Sequence, residues 1–140
     1  MDKSGLLARL HQHQEAVLAI MRGAEPLLVD PDLRDVAALA RARWALMRAL
    51  TGYALFKHGE IFNPAIARQL LGEATRAERM KQRCEAMGGE FRGHVSKWSG
   101  RDVAGDWAEY QPAALRMIVR LRAHVARERE EIASLTEMAW

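Results

Sequence analysis

The sequence predicts an all-α protein, an up-and-down antiparallel four-helix bundle built as one domain over residues 1–140. Three observations predict it. Ala, Leu, Arg and Glu dominate while Gly and Pro number only 10 and 4, a composition that favours helix. Apolar residues recur at steps of three and four over four long stretches, as on the buried face of a helix. Val and Ile never form the alternating runs that mark strands.

The first helix begins near Ser4, a candidate N-cap, and ends before Pro26. Its seam is Leu6, Leu10, His13, Val17, Ile20 and Ala24, with His11 pointing elsewhere. Residues 25–31 connect; Asp30 caps and Pro31 opens the second helix. That helix carries Leu33, Ala37, Ala40, Trp44, Met47, Thr51, Ala54 and His58 at the same spacing. Gly59 and the Asn63-Pro64 pair weaken or end it, because the residue before Pro disfavours the α region. A short turn over residues 64–71 closes the end of the bundle, with Gly72 finishing it. The third helix runs from Glu73 to Trp98 on Met80, Cys84, Met87, Phe91, His94 and Trp98, with a kink at Gly88-Gly89 left open. After a loop, the fourth starts at Asp106 or Gln111 and reaches the C-terminus. Ile118, Leu121, Val125, Ile132 and Leu135 form its apolar face; His124 and Glu128 lie at its edge, one turn apart and pointing the same way.

Composition excludes several function classes. The formal charge is +3, but basic and acidic residues interleave, as in Glu73-Ala-Thr-Arg76-Ala-Glu78-Arg79, which reads as solvated helix faces and not as a nucleic-acid strip. No stretch approaches the ~18–20 apolar residues of a membrane span. The single cysteine, Cys84, forms no intrachain disulfide and fits a reducing compartment, so a cytoplasmic protein is expected, with Cys84 as a core residue. There is no Ser/His/Asp or Cys/His constellation and no glycine-rich phosphate loop, so nothing in the motifs points to an enzyme.

The histidines carry the chemistry. Four of the five fall one to a helix on or beside the apolar stripes: His13, His58, His94 and His124. An unpaired buried polar group costs ~1–3 kcal/mol, and four would consume much of the ~5–15 kcal/mol that stabilises a domain. They therefore need partners: one another, water, carboxylates or a metal. Imidazole and carboxylate together ligate transition metals, and bundles build such sites from facing helices. The candidate metal ligands are His13, His58, His94, His124 and Glu128. The ordinary alternative gives each histidine a local hydrogen bond, with Met47, Met80, Met87, Trp44 and Trp98 as plain core.

Leu10-His-Gln-His13 in the first helix, Tyr53-Ala-Leu-Phe-Lys-His58-Gly-Glu-Ile-Phe-Asn-Pro64 in the second, a histidine in the third and His124-Val-Ala-Arg-Glu128 in the fourth resemble the hemerythrin-like family, also called HHE cation-binding domains. The resemblance covers nearly the whole chain. It implies iron, as a di-iron centre or a single ion, used for oxygen binding, iron handling or sensing. The fourth helix keeps the family's His-x-x-x-Glu as His124 and Glu128; in the second, Phe62 stands four residues after His58, and the third offers His94 alone. With a short first connector, His13 lies about 11 residues from the top of its helix and His58 about 27 from the start of the next, a height difference of roughly 24 Å. The alternative function is a metal-free helical module that works through protein contacts or through self-association as a homo-oligomer, with Trp107, Tyr110 and Met138-Ala-Trp140 supplying an exposed aromatic patch.

Overall fold

Asp2, not Ser4, caps the first helix, α1 (Lys3–Val29): its carboxylate accepts from the Gly5 N–H at 2.7 Å. The computed structural model describes residues 2–30, 34–68 and 72–140. Pro26 does not end α1; it sits in the last turn, and the helix continues until Leu28 is buried. Asp35 caps α2 (Val36–Lys57) by accepting from Ala38 N–H at 3.0 Å. The expected first-turn Pro31 and the seam residue Leu33 lie outside the described residues, as does the end of the 64–71 turn.

Asn63-Pro64 does not stop the helical path either. Lys57 leads into a π-turn over His58–Phe62, in which the Asn63 N–H reaches back to the His58 carbonyl, and α3 (Asn63–Arg68) follows. A proline has no N–H to give the carbonyl four residues back, and the wider turn carries the chain past Pro64 without breaking it. Ile61, Phe62 and Ala65 end fully buried. Gly72, at φ +77°, takes the left-handed conformation that lets the chain enter α4 (Glu73–Ser99). That helix runs unbroken through Gly88-Gly89, because Met87 and Phe91 are buried on either side and hold it against its neighbours. The last helix, α5, spans Trp107–Ala139.

Cross-helix pairs fix the topology. Gln14 meets Tyr53, Arg83 meets Glu131 while Lys97 meets Glu109, and Arg129 meets Gln14 while Arg122 meets Glu25. On α4 and α5 (Arg83/Glu131, Lys97/Glu109) and on α1 and α5 (Gln14/Arg129, Glu25/Arg122) the numbering rises on one helix as it falls on the other, while α2 runs with α5 (Arg43/Tyr110, Lys57/Glu128), so the four long helices alternate in direction. α1 and α4 each pack against both α2 and α5. The α2/α5 pair is therefore a diagonal of the bundle, spanned by long polar side chains: Lys57 to Glu128 and Arg43 to Tyr110. No strand occurs among the described residues, and no helix among them is long and apolar enough to cross a membrane.

The apolar stripes of α4 and α5 follow the expected seams closely. Ala77, Met80, Cys84, Met87, Phe91, Val95 and Trp98 are buried on α4; Ile118, Leu121, Val125, Ile132 and Leu135 on α5. On α2 the expected seam is wrong by one residue throughout. The buried positions are Leu39, Arg43, Leu46, Tyr53, Phe56 and Lys57, while Trp44 is 48% exposed. One residue is about 100° of rotation, enough to exchange faces. The same step displaces His13 in favour of Gln14 and His94 in favour of Val95. Trp107 and Tyr110 are buried, so the expected aromatic patch is reduced at that end, while Met138 is 65% exposed.

Candidate functional site

The centre of the bundle's lower half, where Lys57 meets Glu128, is a chain of polar groups drawn from all four long helices, running from the exposed Arg129 into the core. Arg129 Nε (α5) donates to Gln14 Oε1 (α1) at 3.1 Å, and Gln14 Nε2 donates to the Tyr53 hydroxyl (α2) at 3.1 Å. Lys57, one turn beyond Tyr53, lays its ammonium over the Tyr53 ring, 3.7 Å from the centroid. Its Nζ donates to Glu128 Oε1 (α5) at 2.7 Å, with both side chains almost wholly buried. His124 Nε2, one turn before Glu128 on α5, lies 3.1 Å from the same oxygen. Cys84 on α4 completes the group: one ligand atom each from Cys84, His124 and Glu128 lie within 4.8 Å of one another. The second carboxylate oxygen, Glu128 Oε2, is buried without a hydrogen-bond partner.

The electrostatics follow from these neighbours. Burial alone would raise the Glu128 pKa, but the His124 hydrogen bond and the Lys57 ammonium outweigh it and hold the carboxyl below its usual range. Burial likewise opposes a charge on His124, yet its hydrogen bonds to Cys84 and Glu128 leave its pKa raised. Burial, aided by the Glu128 charge, pushes the Tyr53 phenol far above its normal value, so it stays protonated. A buried carboxylate with a lysine on one oxygen is a balanced ion pair. Oε2 is the part of the carboxylate that Lys57 does not satisfy, on a residue that also neighbours the Cys84 thiol, the His124 imidazole and the Tyr53 phenol.

The structure brings together His124 and Glu128 of the five expected ligands, and adds Cys84. His58, His13 and His94 are not in that group among the described residues. His58 sits one residue off the stripe, edge-on to Phe62 at 5.5 Å, and burial lowers its pKa against the opposing pull of Glu85. His13 stacks on Phe56 at 5.0 Å and on Tyr53 at 6.3 Å, with its pKa lowered by burial and then by Arg9. The expected 24 Å height difference between these two is corrected by the longer α1. Counting back from Val29 to His13 and forward from Val36 to His58 leaves about six residues, roughly 9 Å. His94 lies in the other half of the bundle, between Phe91 and Tyr110, each about 6.1 Å away. Each of these rings stands on the shoulder of its stripe and packs on aromatic neighbours.

Cys84, Lys57 and Tyr53 are the residues that sequence reasoning missed. Cys84 was on the expected seam, and its spacing alone could not distinguish a ligand from core. Lys57 and Tyr53 were hidden by the phase of α2. A groove of about 360 Å³ between α2 and α4 reaches this cluster; Met47, Leu50, Met87, Phe91 and Leu121 make its apolar walls, with Lys57, His58, Cys84 and His124 also in its lining. Comparison of the chain with protein-family models, with curated proteins and with solved structures found no match.

Proposed function

We propose that this chain is a metal-binding helical bundle in which Cys84, His124 and Glu128 hold a single divalent transition-metal ion beside an apolar small-molecule groove. The observation that carries the reading is the gathering of one donor atom each from Cys84, His124 and Glu128 within 4.8 Å of one another, on a carboxylate whose Oε2 is buried without a hydrogen-bond partner. A native structure rarely leaves such an atom unmatched. The residues present do not fit a dinuclear iron centre of the hemerythrin-like kind, since bundle dimetal sites draw several histidines and carboxylates from facing helices, and this group has one of each. Thiolate, imidazole and carboxylate together suit a borderline ion, Zn(II) first and Fe(II) second.

Each side chain has a distinct part. Cys84 and His124 offer donors from α4 and α5 where the groove reaches them. Glu128 offers Oε2 while Lys57 keeps Oε1, so the carboxylate is oriented whether or not an ion is present. The Tyr53 ring and the Gln14–Arg129 link hold Lys57 in place from the far side. Bound there, the ion would supply a Lewis-acidic position for a small ligand lodged in the groove.

Cobalt(II) titration of chelator-stripped protein tests this. One equivalent should bind with a thiolate-to-metal absorption band. Cys84→Ser should abolish the band and weaken binding at least tenfold, while His58→Ala and His94→Ala should leave both unchanged. Absence of uptake overturns the reading. Two equivalents that depend on His94 would restore the hemerythrin-like ligand set in its place.

A further inference from the structure

The upper half of the bundle holds a second polar centre that the metal reading does not use. Arg43 on α2 is 8% exposed, and no carboxylate pairs with it among the described residues. Its Nη1 donates to the Tyr110 hydroxyl on α5 at 3.0 Å, while its Nε is buried with no partner. The guanidinium carbon lies 5.5 Å from the Tyr110 ring centroid. His94 stacks on Tyr110 with ring centroids 6.1 Å apart, and burial followed by the Arg43 charge lowers its pKa to about 4, so it brings no charge of its own near neutrality. Among the described residues this buried cation has a phenol and a neutral imidazole as its polar neighbours and no carboxylate, so it lacks its counter-charge.

A cavity opens against this cation. It lies among all four long helices, with a volume of about 40 Å³, and is lined by Arg43, His94 and Tyr110 together with apolar side chains such as Met21, Leu46 and Phe91. One water needs ~10–15 Å³, so the space takes about three or four heavy atoms. The free Nε edge of an arginine matches the two oxygens of a planar oxyanion. Tyr110 accepts from Arg43 and retains its own proton to donate. We infer that this cavity is a binding site for a small planar monovalent oxyanion, a formate- or acetate-sized carboxylate, held by Arg43 with Tyr110 and capped by the apolar wall.

Thermal unfolding of the full chain, titrated with sodium formate, acetate or sulfate at constant ionic strength, tests the site. Formate and acetate should raise Tm along a saturable curve, and sulfate should not. Calorimetric titration with acetate should give one site per chain. Arg43→Met should weaken that binding at least tenfold, and Tyr110→Phe several-fold. Cys84→Ser should leave it unchanged, which separates this site from the metal cluster. A non-saturable rise, or equal binding by wild type and Arg43→Met, overturns the inference. Should Arg43→Met not fold, unchanged acetate binding by Tyr110→Phe together with an equal response to sulfate overturns it as well.

Discussion

Lys57 and Arg43 stand fourteen residues apart on the same face of α2, roughly 21 Å along the helix. Both cross the bundle's diagonal to α5, and both are buried. They differ in what they meet. Lys57 finds a carboxylate at 2.7 Å, and that carboxylate is anchored in turn by a histidine. Arg43 finds a phenol and keeps an unsatisfied Nε. The lower centre pairs its buried lysine with a carboxylate that keeps one spare oxygen, a donor suited to a cation. The upper one carries a net positive charge beside a void, suited to an anion. On the two proposals, one helix face would build two sites of opposite preference, and the difference lies in whether α5 supplies a glutamate or a tyrosine at the facing position.

The largest expected effect separates the two lysine- and arginine-bearing levels. With metal chelated, Lys57→Met should destabilise by about 3–5 kcal/mol, because it strands the Glu128 charge in the core. Adding Glu128→Leu should recover most of that loss. Arg43→Met, measured by the same urea denaturation without carboxylate anions, should stay within about 1 kcal/mol of wild type, since it removes an unbalanced charge while losing one hydrogen bond. Equal costs at both positions would erase the distinction.

A smaller effect sharpens the upper centre. The folded-state pKa of His94 lies near 4, below its ordinary 6.5. Above pH 6.5 the ring is neutral in both states and its contribution to stability is fully present. As pH falls from about 6.5 to about 4, the unfolded chain takes up a proton that the folded one refuses, and stability declines. The ring keeps some solvent contact, so the decline attributable to it is about 1–2 kcal/mol. His94→Gln should flatten the wild-type curve by that amount over the same window; parallel curves would mean that the imidazole is not held neutral by Arg43 and its packing. The smallest effect concerns phase. Trp44→Gln should change stability by less than about 0.5 kcal/mol, as for other exposed positions. A loss of several kcal/mol would put Trp44 back in the core.

The four-helix architecture was legible because apolar spacing on α4 and α5 is unambiguous: their outer faces are charged, so only one stripe can be buried. α2 gives no such contrast. Alanines surround it, and the stripe through Trp44, Met47 and Ala54 is more apolar than the true one, which carries Arg43 and Lys57. Apolarity therefore selected the wrong face, and with it went both buried cations. The histidines misled for a related reason. Imidazole is amphipathic enough to sit at a stripe's shoulder, where it covers an aromatic ring and still touches water, so seam spacing overstates its burial. His124 and Glu128 were legible as a pair because a one-turn separation on one helix fixes their neighbourhood without any partner. Their third companion, Cys84, depends on how α4 meets α5, which local spacing does not encode.

The wide turn at His58–Phe62 sets the alignment of everything after it. An extra residue in a single turn swings the following side chains by about a third of a revolution. That swing is what lets Ile61, Phe62 and Ala65 face inward immediately after a lysine has occupied the inward position. Removing Gly59, where an added Cβ would meet no other part of the fold, would tighten the coil to ordinary pitch and aim α3's small apolar side at solvent instead of at α4. The loop length of this segment is thus a gear tooth: one residue fewer and the two ends of the path no longer mesh.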